Sequence, residues 1–284
     1  MTNPVDPLSG RGVTGLRLSR RSLIAAGAIV ATVGSTSVAR AFSNSSKNPP
    51  NGFGGGPSGP GPGPETAPDR HCFCRGTRLL TPAGEIAVED LSIGDAVVTH
   101  GGTERTIRWI GRVSIARDGA AAWPEHAIPV RIAKDAFAPG IPRRDLYLSR
   151  EHMLFLNGVL IPAGNLINGT TVRAVPPDAD IVHYLHVELD GHEVLLAEGA
   201  PCDSLLATAE NRKHFDNYDE YVALYGPATV AAMVPCAPIA SFSGGRGELA
   251  SRLRSALTPI IDIRRPMDVV RDNLEARAWQ SKAA

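Results

Sequence analysis

Two thiols stand one residue apart in His71-Cys72-Phe73-Cys74-Arg75-Gly76-Thr77, where a long Pro/Gly-rich tract gives way to the first strand-like segment. Cys72 therefore carries the first amide that a folded domain can hold in fixed geometry, and a thiol so placed can attack the carbonyl just upstream. The chemistry is nucleophilic: sulfur displaces the amide nitrogen of the His71–Cys72 bond and leaves a thioester. That shift runs uphill unless the fold strains the amide and protonates the departing nitrogen, so it calls for a histidine close by. Metal chemistry is not expected. The C-x-C pair is spaced too tightly for ribbon-type zinc sites and no second pair repeats it. With Cys202 and Cys236 there are four cysteines, and the sequence does not choose among their possible disulfide pairings.

Upstream of this junction the chain reads as delivery. Leu18-Ser19-Arg20-Arg21-Ser22-Leu23-Ile24 places a twin arginine before an apolar, small-residue-rich stretch to Val38, and Ala39-Arg40-Ala41 offers a small-x-small cleavage site. Residues 1–41 resemble a twin-arginine export signal. That resemblance implies a bacterial protein that is periplasmic or extracellular, or membrane-anchored where the signal is retained. Residues 42–71 are rich in Asn, Ser, Pro and Gly and form a linker without a core of its own. The whole chain balances 29 Lys+Arg against 29 Asp+Glu, which leaves no global field to recruit nucleic acid. Its 284 residues are 43% hydrophobic, enough for a sizeable core.

Downstream, period-two patterning dominates for about 130 residues. The segment 105–115 alternates as a half-buried strand, with Ile107, Trp109, Val113 and Ile115 on one parity. Two hairpins are expected from their turns: Met153–Leu156 and Val159–Ile161 about Asn157-Gly158, and Val187–Leu189 and His192–Leu196 about Asp190-Gly191. In the second, His186 shares a face with Tyr184 and Glu188 and is expected among polar side chains. After Leu205 the patterning turns helical. Short helices are expected at 204–209 and 216–224, and longer ones at 248–257 and 267–279, the last two with Leu249, Leu253, Leu257 and Val270, Leu274, Ala278 at fourfold spacing.

The run Cys72-x-x-x-Gly76-Thr77, then Thr81-Pro82-x-Gly84 and Val88-Glu89-Asp90-Leu91-x-x-Gly94-Asp95, resembles the opening block of Hint domains, the self-processing fold of inteins and of Hedgehog C-terminal regions. Ser149-Arg150-Glu151-His152 resembles the second block, and Tyr184-x-His186-Val187-x-Leu189-x-x-His192 through Gly199 the penultimate one. The resemblance spans roughly 72–205 and implies a mainly β horseshoe of curved strands and hairpins, with residues 206–284 as an α-rich extension like that of bacterial stand-alone Hint proteins.

It further implies Cys72 as nucleophile, His152 as the histidine that polarises the scissile amide near neutral pH, Ser149 as a hydroxyl donor to its carbonyl, and His186 and His192 as further candidates. Inteins end in His-Asn, whose amide cuts the second junction. The matching positions here are Asp203 and Ser204, and serine has no amide nitrogen, so full splicing is excluded and only the cut at His71–Cys72 remains. The thioester would pass to water, an amine or a thiol. No cofactor is called for, no sterol-recognition region is recognisable, and the oligomeric state is not legible. In the Hint fold the domain ends meet, which implies a Cys72–Cys202 disulfide that locks the nucleophile. A degenerate Hint scaffold serving as an exported binding module is the alternative.

Overall fold

The structure, a computed structural model, describes residues 71–284 apart from 120, 228–232, 241–243 and 284. The expected export signal and nearly all of the linker lie outside the described residues. In chain order the first strands are β1 (Phe73–Cys74), β2 (Arg78–Thr81), β3 (Gly84–Ala87), β4 (Ala96–Val98), β5 (Glu104–Thr106), β6 (Trp109–Ala116) and β7 (Val130–Ile132). They continue with β8 (Leu146–Leu148), β9 (Met153–Leu156), β10 (Val159–Pro162), β11 (Val172–Ala174), β12 (Ile181–Glu188), β13 (Val194–Ala197) and β14 (Ala200–Asp203). Helices α1 (Tyr218–Tyr225), α2 (Gly244–Ala256) and α3 (Pro266–Ala283) follow. The fold is mainly β with a helical C-terminal part, as expected.

Two six-stranded sheets carry the site. One runs β11-β7-β8-β1-β12-β6 and the other β10-β9-β14-β13-β2-β3, while β4 and β5 form a separate ribbon. The chain passes between the sheets at a few places, and those passages set the functional residues. Gly76, at φ 89°, makes the turn that carries β1 of one sheet into β2 of the other, and its N–H donates to Glu89 Oε2 at 2.8 Å. Thr77, buried behind it, closes that turn with an N–H bond to Cys74 O.

The Asn157-Gly158 hairpin forms as expected. Both residues take positive φ, 50° and 80°, which is what a two-residue primed turn needs, and Val159 pairs with Leu156. The Asp190-Gly191 hairpin does not form. Gly191 is not among the residues with positive φ, so the chain does not fold back. It leaves β12 in one sheet and enters β13 in the other, with His192 in the crossing. The turn that does close is Glu198-Gly199, at φ 50° and 81°, joining β13 to β14. The 105–115 alternation holds over part of its length and breaks at Ile107-Arg108, where β5 ends and β6 begins. The short helix expected at 204–209 is absent, and α1 to α3 cover the other helical expectations.

One apolar cluster joins the sheets, with Phe73, Leu148 and Val187 from the first meeting Leu79, Leu154 and Leu195 from the second, and α3 adds Met267, Val270 and Leu274. A second cluster gathers Cys72, Cys74, Trp109, Tyr184, Phe215 and Tyr221. It is closed by Phe215 against Gly111 of β6. A Cβ at 111 would stand 2.5 Å from the Phe215 ring, so only glycine admits this contact. Beside it Arg212 donates to both Glu188 oxygens at 2.8 Å and lies over the Tyr221 ring, with both charged groups buried. The fourfold leucines of α2 do not share this burial: Leu249, Leu253 and Leu257 are exposed.

Candidate active site

Register places the first pair. β1 and β8 are antiparallel with Phe73 opposite Leu148, so the next residues along, Cys72 and Ser149, also face each other. Cys72 N–H donates to Ser149 Oγ at 2.8 Å, and Ser149 N–H donates to Cys72 O at 2.9 Å. The hydroxyl therefore meets the His71–Cys72 bond at its nitrogen, the atom that must leave in a thiol attack. Cys72 is fully buried. On the upstream side His71 borders a cavity of about 550 Å³ whose other walls include Glu151, Met153, Asn165, Leu205 and Asn211.

A tight turn from Ser149, in which His152 N–H bonds Ser149 O at 3.2 Å, delivers His152 beneath this pair. Its ring packs on Phe73 at 4.2 Å between centroids and lies 4.9 Å from the ring of His186. Phe73, the residue between the two thiols, is thus the floor on which both imidazoles rest, its edge contact with His186 being 5.7 Å. His186 is completely buried, and the polar side chains it lies among, His152 and Asp203, are buried with it. The reason is topological: β12 lies between β1 and β6, inside the sheet, and from Tyr184 to Glu188 both of its faces are covered.

Asp203 ties these rings together. The β14–β9 pairing sets Cys202 opposite Leu154, which brings Asp203 Oδ1 to accept from Met153 N–H at 3.1 Å. Oδ1 also lies 3.4 Å from His152 Nε2, and Oδ2 lies 3.4 Å from His192 Nε2. Ser204 faces elsewhere, its hydroxyl accepting from Glu193 N–H at 2.9 Å.

Burial sorts the charges. It pushes His152 down to about 4, with the Asp203 carboxylate only partly offsetting it. His186 is pushed well below its ordinary value by burial first and then by His152. Burial works to raise Asp203, yet His152, the bond from His192 and then His186 outweigh it and hold the carboxyl down at about 2. At pH 7 the site holds one carboxylate beside neutral His152 and His186. This revises the expectation that His152 titrates near neutrality: it rests as a base, not as an acid. Cys74 is pushed up to about 12, mainly by burial and despite a bond with Tyr184, so its thiol stays protonated at neutral pH.

The expected Cys72–Cys202 disulfide is not formed, and no disulfide involves any of the four cysteines. The two side chains pack in different apolar clusters, Cys72 with Trp109 and Cys202 with Leu154. Burial and the Asp203 charge push the Cys202 thiol well above its ordinary value, which keeps it protonated. A metal-binding set was not expected either, but ring nitrogens of His152 and His186 and an Asp203 oxygen lie within 4.8 Å of one another. Two imidazoles and a carboxylate at that spacing are a donor set that suits a zinc-like ion. Asp203 and Phe73 were missed as functional residues. An acid closing the apolar strand Ala200–Asp203 was the available signal for the first; nothing in the sequence singles out the second.

The geometry defines a class: mainly β domains of two six-stranded sheets that share an apolar core, with a cysteine, serine and histidine gathered at the start of the first strand. The family model described as the Hint domain matches residues 71–209, and that segment belongs to the Hint family, a fold associated with self-processing in general. Among solved structures, a bacterial intein-like domain from Clostridium thermocellum aligns at 14% identity and TM-score 0.36, over 48% of this chain and 99% of that one. The gp41-1 intein aligns at 13% identity and TM-score 0.34, over 47% of this chain and 98% of that one. The zinc-bound Msm DnaB1 intein splicing domain aligns at 15% identity and TM-score 0.31, over 43% and 92%. A comparison with curated proteins returned no match.

Proposed function

We propose that this protein cleaves itself once, at His71–Cys72, through a thioester. The observation that carries the reading is the reciprocal Cys72–Ser149 pair, which fixes the amide of the bond to be cut and sets a hydroxyl 2.8 Å from its nitrogen. Neutral His152 takes the Cys72 thiol proton, and the sulfur adds to the His71 carbonyl carbon. The proton then passes to the Cys72 nitrogen, with Ser149 in contact with that atom, and the C–N bond breaks to leave a His71–S thioester and a free Cys72 amine. Water, an amine or another thiol enters from the His71 cavity, takes the acyl group and releases the thiolate to be reprotonated. Asp203 and Ser204 supply no side-chain amide, so no second cut follows. If the first 41 residues act in export, the cut detaches signal and linker from the domain.

Intact-mass analysis of the purified full chain tests this. A species beginning at Cys72 is expected, absent in Cys72→Ala and slowed by about 10²–10⁴-fold in His152→Ala. Ser149→Thr, which restores a hydroxyl, should outpace Ser149→Ala. The complete burial of Cys72 favours a second reading, a non-catalytic Hint scaffold used for binding. Uncut chain in every preparation, unchanged by hydroxylamine, would select that reading over the first.

A further inference from the structure

Beyond the segment matched by the Hint family, the chain returns to the site along a strap at 233–240. Met233 N–H bonds Ala207 O at 3.2 Å, Leu160 N–H bonds Pro238 O at 2.9 Å and Ala240 N–H bonds Leu160 O at 2.8 Å. Ile239 bridges Leu160 in parallel, so the strap lies along the free edge of β10. Between these fastenings Cys236 N–H donates to His192 Nδ1 at 3.0 Å.

That bond decides where the His192 proton sits. A backbone N–H only donates, so the nitrogen that receives it carries no proton, and the ring's hydrogen sits on Nε2. Nε2 is the atom that faces Asp203 Oδ2 at 3.4 Å. The other tautomer would aim a lone pair at the carboxylate and a proton at the Cys236 amide, two repulsive contacts in a buried volume. Asp203 in turn presents its other oxygen to His152.

We propose that the strap is a positioning device for the site: the Cys236 amide holds His192 in the Nε2–H tautomer, and His192 thereby fixes the Asp203 carboxylate beneath His152. Cys236 is a positioning residue here through its main chain; its thiol has no part. The effect on rate rests on the self-cleavage reading, but the tautomer does not.

Cys236→Pro removes the donor at a point already flanked by Pro235 and Pro238, and Cys236→Ala keeps it. In the ¹⁵N-labelled full chain, wild type and Cys236→Ala should show a protonated Nε2 and a bare Nδ1 for His192, and Cys236→Pro should show the proton shared or moved to Nδ1. Cleavage should fall by about tenfold or more in Cys236→Pro and stay unchanged in Cys236→Ala. If the proline variant does not fold, the coupling across the hydrogen bond between the Cys236 amide nitrogen and His192 Nδ1 is read in wild type, where its presence is expected. A protonated Nδ1 in wild type, or a tautomer unmoved in folded Cys236→Pro, overturns the proposal. A wild type that never cleaves yet shows the tautomer dependence leaves the strap standing and removes the self-cleavage reading alone.

Discussion

His152, His186 and Asp203 share one fully buried volume, and their ionisation is linked to folding. His152 ordinarily titrates at 6.5 and is pushed to about 4 in the fold. Its contribution to stability is therefore complete above pH 6.5 and is lost as pH falls toward 4, because the unfolded chain takes up the proton first. The loss amounts to something on the order of 3 kcal/mol. His186 acts in the same direction. Asp203, lowered from 3.8 to about 2, adds a further loss below pH 3.8. Thermal melts across pH 7 to 4 should show a steady midpoint down to about 6.5 and a decline beneath it, and His152→Gln should flatten part of that decline. Most of these residues were legible as motif members. The neutrality of His152 was not, since it follows from complete burial, and Asp203 was legible only as a lost splicing residue when it is the group that links His152 to His192.

The elements show where local signals mislead. Asn157-Gly158 and Asp190-Gly191 look alike in sequence, yet the first closes a hairpin and the second opens a passage between sheets. Pairing of β13 with β14 and β2 gives more ladder than a return onto β12, whose neighbours on both sides, β1 and β6, are already in place. That passage is what lets His192 reach Asp203. Side-chain burial on β12 likewise escaped period-two reading because an interior strand covered on both faces loses its alternation. The contact of β6 with the segment after Leu205 depends on one missing side chain. Gly111→Ala should cost about 1–3 kcal/mol, measured by urea denaturation, because its Cβ enters the Phe215 ring. Adding Phe215→Leu should recover part of that loss.

At the scale of the molecule, the residues after Leu205 are woven into the β unit. Met267, Val270 and Leu274 complete one apolar cluster, Phe215 and Tyr221 the other, and Arg212 neutralises Glu188 in the interior. Arg212→Leu leaves that buried carboxylate with Arg108 alone, 3.8 Å away and not hydrogen-bonded to it, and should destabilise by about 3–5 kcal/mol, a loss that Arg212→Leu/Glu188→Met should reduce. A chain ended at residue 209, the limit of the family match, should not reach the native state by circular dichroism and thermal melting. The sequence marked this region as helical but not as integral, since a helix stripe reveals that a face is buried and not what buries it. The cavity beside His71 has a use of its own. At about 550 Å³ it has room for a good deal more than a water molecule. Under the proposed cleavage it is a labelling port: a dye-bearing hydrazide offered to the cleaving chain should be captured as an acyl hydrazide on His71, tagging the shed leader at its new C-terminus and leaving the domain unmarked.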